Sequence, residues 1–155
     1  MQTFLTHFCF VETASHLDNK RLNKQIVEAT QILNTLKKID KQGNVIGVYS
    51  KTPAWVHHPA VLMWINHETS LISYIASCVN EWETRYNKKR NLVLPVVHDI
   101  IQPVWLTEKL IISHRANLVR KSNFYLQYQW DVNPLMPYFW PYNWDRYMRC
   151  IKCNI

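Results

Sequence analysis

A chain of 155 residues, 48% of them hydrophobic, is sized for one compact domain, and residues 1–155 are expected to form one. With 7 Trp, 8 Tyr and 5 Phe, only 2 Gly and a net charge of +7, the composition favours a polyanionic partner with bases to stack on, DNA or a nucleotide. It excludes a membrane span, since no stretch nears the roughly 20 apolar residues required. The opening MQTFLTHFCF lacks the basic and long apolar regions of a secretory leader, so an intracellular location is expected. In that compartment Cys9, Cys78, Cys150 and Cys153 are thiols. Cys150-Ile-Lys-Cys153 has no second pair to complete a four-ligand zinc site, so it reads as tail, and no metal or cofactor is expected.

No repeat or linker divides the chain, and three helical segments dominate. The first begins after Asp18, an N-cap, and runs to about Lys38. Leu22, Ile26, Ala29, Leu33 and Leu36 form its apolar stripe. A loop from Asp40 to Pro53 holds both glycines. The second helix starts near Pro59 and runs to about Tyr86, with a stripe of Val61, Trp64, Leu71, Ile75, Cys78 and Trp82. The third starts at Thr107, an N-cap, and reaches about Lys121. Short strand character is confined to Val45–Tyr49 and Leu92–Val97. Pro134, Pro137 and Pro141 make the tail extended or turned. The fold class is all-α: a compact bundle of about three main helices with an aromatic, proline-rich tail.

Polar residues interrupt these stripes. Extending the second stripe from Trp64 by four residues lands on Glu68, which predicts a carboxylate facing the core, either paired with an arginine or tuned as an acid. His58 and His67 are candidates to face the same pocket, His67 otherwise being a helix-flank residue. On the first helix Arg21, Gln25 and Glu28 share an arc of roughly 60° beside the stripe. Lys20 and Lys24 lie further round, towards solvent. On the third helix His114, Asn117 and Lys121 share a face, Arg115 sits between Ile111 and Leu118, and Arg120 lies beside Asn117. Arg, Lys and Asn commonly hold phosphates, and Asn also reads base edges, so this face is expected to meet substrate. In the tail, Tyr138, Phe139, Trp140, Tyr142 and Trp144 either stack on bases or plug the core; the core role is favoured for Trp140.

In order, FL, LDNKRLNKQIVEATQILN, HHPAVLMWINHE, SHRANLVRK and MPYFWP resemble the pyrimidine-dimer DNA glycosylase family of the endonuclease V type, over residues 1 to about 141. The resemblance implies a compact helical fold and cleavage of an N-glycosidic bond in DNA, with strand scission by β-elimination in the phage enzyme. It also implies an N-terminal α-amine that attacks C1′ to form a Schiff base, assisted by a glutamate on the first helix; α-amines as a class are partly unprotonated near neutral pH. In this chain Gln2 follows Met1, which makes Met1 the expected owner of that amine, with Lys24 or Lys121 as alternatives. Aligning His16-Leu17 with the family's pair puts Asn23 at the glutamate position, leaving Glu28 and Glu68 as the candidate carboxylates. Arg21, Lys24, Gln25, His58, His67, His114, Arg115, Asn117, Arg120 and Lys121 are the candidate substrate and phosphate contacts. Two other readings use the same residues: base excision from a free nucleotide or cyclic dinucleotide, and a non-catalytic binding module.

Overall fold

Asp18 caps a helix, as its place before the first apolar stripe suggests: its Oδ1 accepts the Arg21 backbone N–H at 2.9 Å. The computed structural model of the protein describes residues 1–38, 55–121 and 128–141. Its helices are, in order, α1 (Phe10–His16), α2 (Asn19–Leu36), α3 (Pro59–Leu62), α4 (Glu68–Tyr86) and α5 (Glu108–Lys121), with no strand among the described residues. The stripe on α2 is buried throughout, α2 packs against α4 and α3, and α1 also packs against α4. Leu110, Ile111, Leu118 and Val119 bring α5 into the same core as Leu22, Ile26, Leu71 and Ile75. Leu92–Val97 forms no strand, and the strand character at Val45–Tyr49 falls outside the described residues.

Two differences from the expected helices matter for the site. The segment α1 has too few periodic positions to stand out in the sequence, yet it is a helix of seven residues. The helix expected from Pro59 to Tyr86 is two helices. After one α turn the chain tightens into i→i+3 turns, with Trp64 N–H bonded to Val61 C=O at 3.0 Å and His67 N–H to Trp64 C=O at 2.9 Å. Asn66 then takes φ 64°, a left-handed conformation that asparagine tolerates better than most residues. Trp64 and Glu68 are therefore not on one helix, and the stripe extended through Glu68 does not exist. Glu68 is the first residue of α4, where its Oε1 accepts the Asn66 N–H at 3.2 Å and its charge suits the helix N-terminus.

The N-terminal segment is the less ordinary part. Gln2 to Thr6 are buried in an irregular, non-helical stretch between the helices. Buried backbone groups need partners, and here side chains supply them. Gln25, wholly buried, accepts the Phe4 N–H at 2.8 Å and donates to the Gln2 carbonyl at 3.1 Å. The Tyr74 hydroxyl shares its proton between the Phe4 carbonyl at 2.9 Å and Gln25 Oε1 at 2.8 Å. Burial, with Cys78 and the Glu28 charge adding to it, holds the Tyr74 phenol far above its ordinary pKa, and burial pushes its neighbour Cys78 up to about 12, leaving that thiol inert. Trp64 Nε1–H donates to Thr3 Oγ1 at 3.0 Å, and Thr13 Oγ1 accepts the N–H groups of Thr6 and His7 at 3.3 and 3.1 Å.

Replacing Gln25 by leucine strands the Phe4 N–H and the Gln2 carbonyl in a dry core. Each buried unpaired group costs about 1–3 kcal/mol, so Gln25→Leu is expected to lower unfolding free energy by about 2–5 kcal/mol. Urea denaturation with an unchanged m-value is the measurement; a loss below 1 kcal/mol would contradict the assigned role.

Candidate active site

The clamp on residues 2 to 4 places the chain's first residue. The next helical turn after Gln25 carries Glu28, whose Oε2 accepts the Gln2 N–H at 3.2 Å and whose Oε1 lies 3.8 Å from the Met1 amine. Lys24 reaches the same Oε1 at 3.6 Å, but it is 65% exposed, and an exposed pair of this kind adds little. Around this pair lies a cavity of about 390 Å³, lined by Met1, Gln2, Phe4, Lys20, Arg21, Lys24, Glu28, His58, Lys121, Tyr138 and Trp140. That size accommodates a nucleotide.

Each wall comes from a different element. Lys20, Lys24 and Glu28 follow at i, i+4 and i+8 along α2. Arg21 joins them at the helix start, its guanidinium bonded to Asp18 Oδ2 at 2.7 Å. His58 caps α3, with Nδ1 accepting the Ala60 N–H at 3.1 Å. Lys121 ends α5 and donates to the Tyr138 hydroxyl at 3.2 Å, its ammonium lying 5.5 Å from the Phe4 ring centroid. Tyr138 and Trp140 stack on each other at 5.5 Å, two residues apart on an extended tail, and so face the same way. Arg120 anchors that tail by donating to the carbonyls of Pro134 and Met136 at 3.0 and 3.3 Å.

Lys20, Arg21, Lys24, Lys121 and the Met1 amine are set against one carboxylate, so the cavity favours an anionic ligand. Burial lowers the Lys121 pKa, Lys24 and other cations adding to the effect and Glu28 opposing it. Burial also lowers the pKa of His58; the Met1 amine lowers it further and Glu28 works against both. The Tyr138 phenol is held above its ordinary value, chiefly by burial.

Of the residues expected at the site, the structure brings together Met1, Glu28, Arg21, Lys24, His58 and Lys121. The others are engaged elsewhere. Gln25 holds the N-terminal backbone. His114 does so too: it is fully buried, its Nδ1 accepts the Leu5 N–H at 3.0 Å, and its Nε2 lies 3.3 Å from the Gln2 amide. Arg115 donates from Nε to the Thr6 carbonyl at 2.7 Å and stands over Trp130, beside a separate cavity of about 250 Å³ shared with His7, Glu12 and Glu108. Asn117 is fully buried, and its amide nitrogen and oxygen have no hydrogen-bond partner among the described residues. Arg120 serves the tail. His67, at the start of α4, packs edge-on against Trp105 at 5.7 Å, and Glu68 lies beside it, so neither lines the cavity. The position aligned with the family's glutamate, Asn23, is exposed and accepts from Arg90 Nη1 at 2.8 Å. The carboxylate at the amine is Glu28, one helical turn and more further on.

A family profile described as pyrimidine dimer DNA glycosylase matches residues 1–94. The chain belongs to the pyrimidine dimer DNA glycosylase family. The matched stretch holds the clamped N-terminus, α1 to α4 and most of the cavity, including Met1, Arg21, Lys24, Glu28 and His58. Lys121, Tyr138 and Trp140 lie beyond it. No curated protein and no solved structure matches the chain. Membership makes DNA the class of substrate and the N-glycosidic bond the class of target for this glycosylase. Among the described residues no helix is long and apolar enough to cross a membrane, and no group of three or more His, Cys, Asp or Glu side chains could hold a metal ion.

Sequence reasoning missed Gln2, Phe4 and Lys20 as cavity residues, left Tyr138 between stacking on bases and plugging the core, and favoured the core for Trp140. Two signals were available: the i, i+4, i+8 row of Lys20, Lys24 and Glu28, and the i, i+2 alternation of Tyr138 and Trp140. Trp140 also packs against the core, so the expected role and the cavity role coincide.

His114 makes stability pH-dependent. Burial first, and then the Lys121 charge, lower its pKa from 6.5 to about 3. The unfolded chain therefore binds a proton that the folded one refuses, and stability falls as pH drops below about 6.5, by up to about 1.4 kcal/mol per unit from this group. Denaturant unfolding at pH 7, 6 and 5 is expected to show the decline, and His114→Gln, although less stable at pH 7, to show a shallower one. Equal slopes would remove His114 as the cause.

Proposed function

We propose that the chain is a DNA N-glycosylase that excises the base at a damaged pyrimidine site, with the Met1 α-amine as nucleophile and Glu28 as the carboxylate that assists it. The observation that carries this reading is the Met1–Glu28 pair, 3.8 Å apart in the wall of a cation-lined cavity. In the reaction the amine nitrogen bonds to C1′ while the glycosidic C–N bond breaks and its electron pair leaves with the base. The proton that the attacking amine loses passes to Glu28, which lies on the amine's side of the cavity, and then to the departing base. The sugar remains attached through C1′; its ring then opens, the C1′–O4′ bond breaking as the second N–H proton passes to O4′ and C1′=N forms, and from this Schiff base β-elimination can cut the strand. Arg21, Lys24, Lys20 and Lys121 hold phosphates and position the strand without reading it. C1′ in a stacked duplex is out of reach, so the nucleotide is extruded into the cavity, where Tyr138 and Trp140 offer rings for stacking.

Ultraviolet-irradiated duplex tests the proposal. Scission of the glycosidic bond at the damaged pyrimidine, after which a dimerised base stays joined to its neighbour, and borohydride trapping of a covalent adduct are expected, with the adduct mapping to the peptide that begins at residue 1. An adduct on Lys24 or Lys121 would move the nucleophile; release without any adduct would point to water activated by the carboxylate. Glu28→Gln still accepts the Gln2 N–H but takes no proton, so single-turnover excision is expected to fall about 10²–10⁴-fold with duplex binding nearly unchanged. If neither irradiated nor modified DNA loses a base, while a free nucleotide or cyclic dinucleotide does, the substrate assignment is overturned. Binding with no release from any of them would leave a non-catalytic module.

A further inference from the structure

The fold fixes which nitrogen of His58 carries hydrogen. Its Nδ1 accepts the Ala60 N–H at 3.1 Å as the cap of α3, and a neutral imidazole that accepts at one nitrogen donates from the other. Nε2–H is that donor, and no described residue takes its hydrogen bond. The ring is a wall of the cavity that holds Met1 and Glu28. Trp55 and Trp140 stand nearly perpendicular to it, at 5.5 and 6.3 Å between ring centroids, and hold its plane. Protonating Nδ1 would break the cap, and burial together with the Met1 amine disfavours the imidazolium, against the pull of Glu28. The cavity thus contains a neutral, oriented N–H donor beside the nucleophile.

Such a donor has little use for a phosphate, which a cation holds better, and four cationic side chains already line the cavity. It suits a group that becomes charged during the reaction. As the glycosidic bond breaks, its electron pair spreads onto the pyrimidine carbonyl oxygen next to the ring nitrogen that leaves. A pre-oriented N–H at that oxygen stabilises the charge without reorganisation. We infer that His58 is a catalytic hydrogen-bond donor whose Nε2–H binds the carbonyl oxygen of the base being expelled from C1′. The imidazole keeps its hydrogen throughout; the proton that neutralises the base is the one released by the attacking amine through Glu28. This role rests on the N-glycosylase reading.

His58→Asn separates the role from the cap, because asparagine is a good N-cap whose side chain is too short to reach a bound base. Two reactions are compared in the full-length protein: excision from ultraviolet-irradiated duplex, and borohydride trapping on an abasic duplex, where no base leaves. The ratio of excision to trapping is expected to fall about 10²-fold, with thermal unfolding close to wild type. An unchanged excision rate, or equal losses in both reactions, would overturn the inference in favour of a cap or a general substrate contact. Nitrogen-15 NMR of the histidine rings gives a readout independent of activity: Nε2–H at pH 7 supports the donor, and Nδ1–H rules it out. A wild-type protein that neither excises nor traps overturns the glycosylase reading itself, whereas an active wild type with an unaffected variant overturns this step alone.

Discussion

The structure depends on burying a stretch of backbone that has no sheet to pair with. Residues 2 to 6 run between helices, and every buried N–H or C=O they carry without a partner costs about 1–3 kcal/mol. Helices cannot supply those partners from their own backbones, whose groups are used internally. Side chains must, and they come from four directions: Glu28 and Gln25 from α2, Tyr74 from α4, Thr13 from α1, and His114 and Arg115 from α5. This network, rather than helix-on-helix packing alone, ties α5 to α1, α2 and α4. It also explains why a small helical protein carries so many polar side chains that are wholly inside: Gln25, His114, Thr3, Thr6 and Thr13 are each at 0% exposure.

The same constraint builds the site. Gln25 and Glu28 are three residues apart on α2 and so face the same way. One fixes the backbone at residues 2 and 4, and the other receives the N–H of residue 2 and the amine of residue 1. The position of the amine relative to its carboxylate is therefore set by bonds made one and three residues further along the chain. A chain terminus is ordinarily the most mobile part of a domain, which would ill suit the role proposed for the Met1 amine, whose nitrogen would have to approach C1′ within about 3.5 Å. Clamping residues 2 to 6 removes that mobility and leaves the tip facing the cavity.

This arrangement also shows why the fold was more legible in the sequence than the site. The α2 stripe, the Asp18 cap and the extent of α5 follow from periodicity and capping, which are local. The break at Asn66 is not, since HHPAVLMWINHE is equally compatible with a continuous helix, and on that continuity rested the case for Glu68. The face His114, Asn117, Lys121 was expected to meet substrate, but His114 and Asn117 are buried, and the partner of His114 was not in the local sequence. A polar side chain on a half-buried face serves a phosphate or a buried peptide group equally well, and only the tertiary path of residues 1 to 6 decides. It gives His114 and Arg115 to the backbone and Lys121 to the cavity. Arg21 and Glu28 were legible because they border the stripe, where the rim of a core becomes the wall of a pocket, whereas Lys24 lies further round towards solvent and its place in the cavity did not follow from the stripe.

Scaffold and chemistry consequently share residues in a way that shapes what mutation can report. Removing Gln25 or His114 would loosen the segment that carries the amine, so activity would fall although neither lines the cavity. Glu28 belongs to both sets, through Oε2 to the backbone and Oε1 to the amine. An amide at that position keeps the first function and loses the second, which is what makes it informative, whereas alanine would remove both and report on neither. The tail likewise serves both ends. Tyr138 and Trp140 complete the wall and also pack against the core, while Arg120 holds their segment to α5 through two carbonyls and Lys121 through one hydroxyl. On the proposed mechanism an extruded nucleotide would thus sit between the wall that carries the Met1 amine and the aromatic wall of Tyr138 and Trp140.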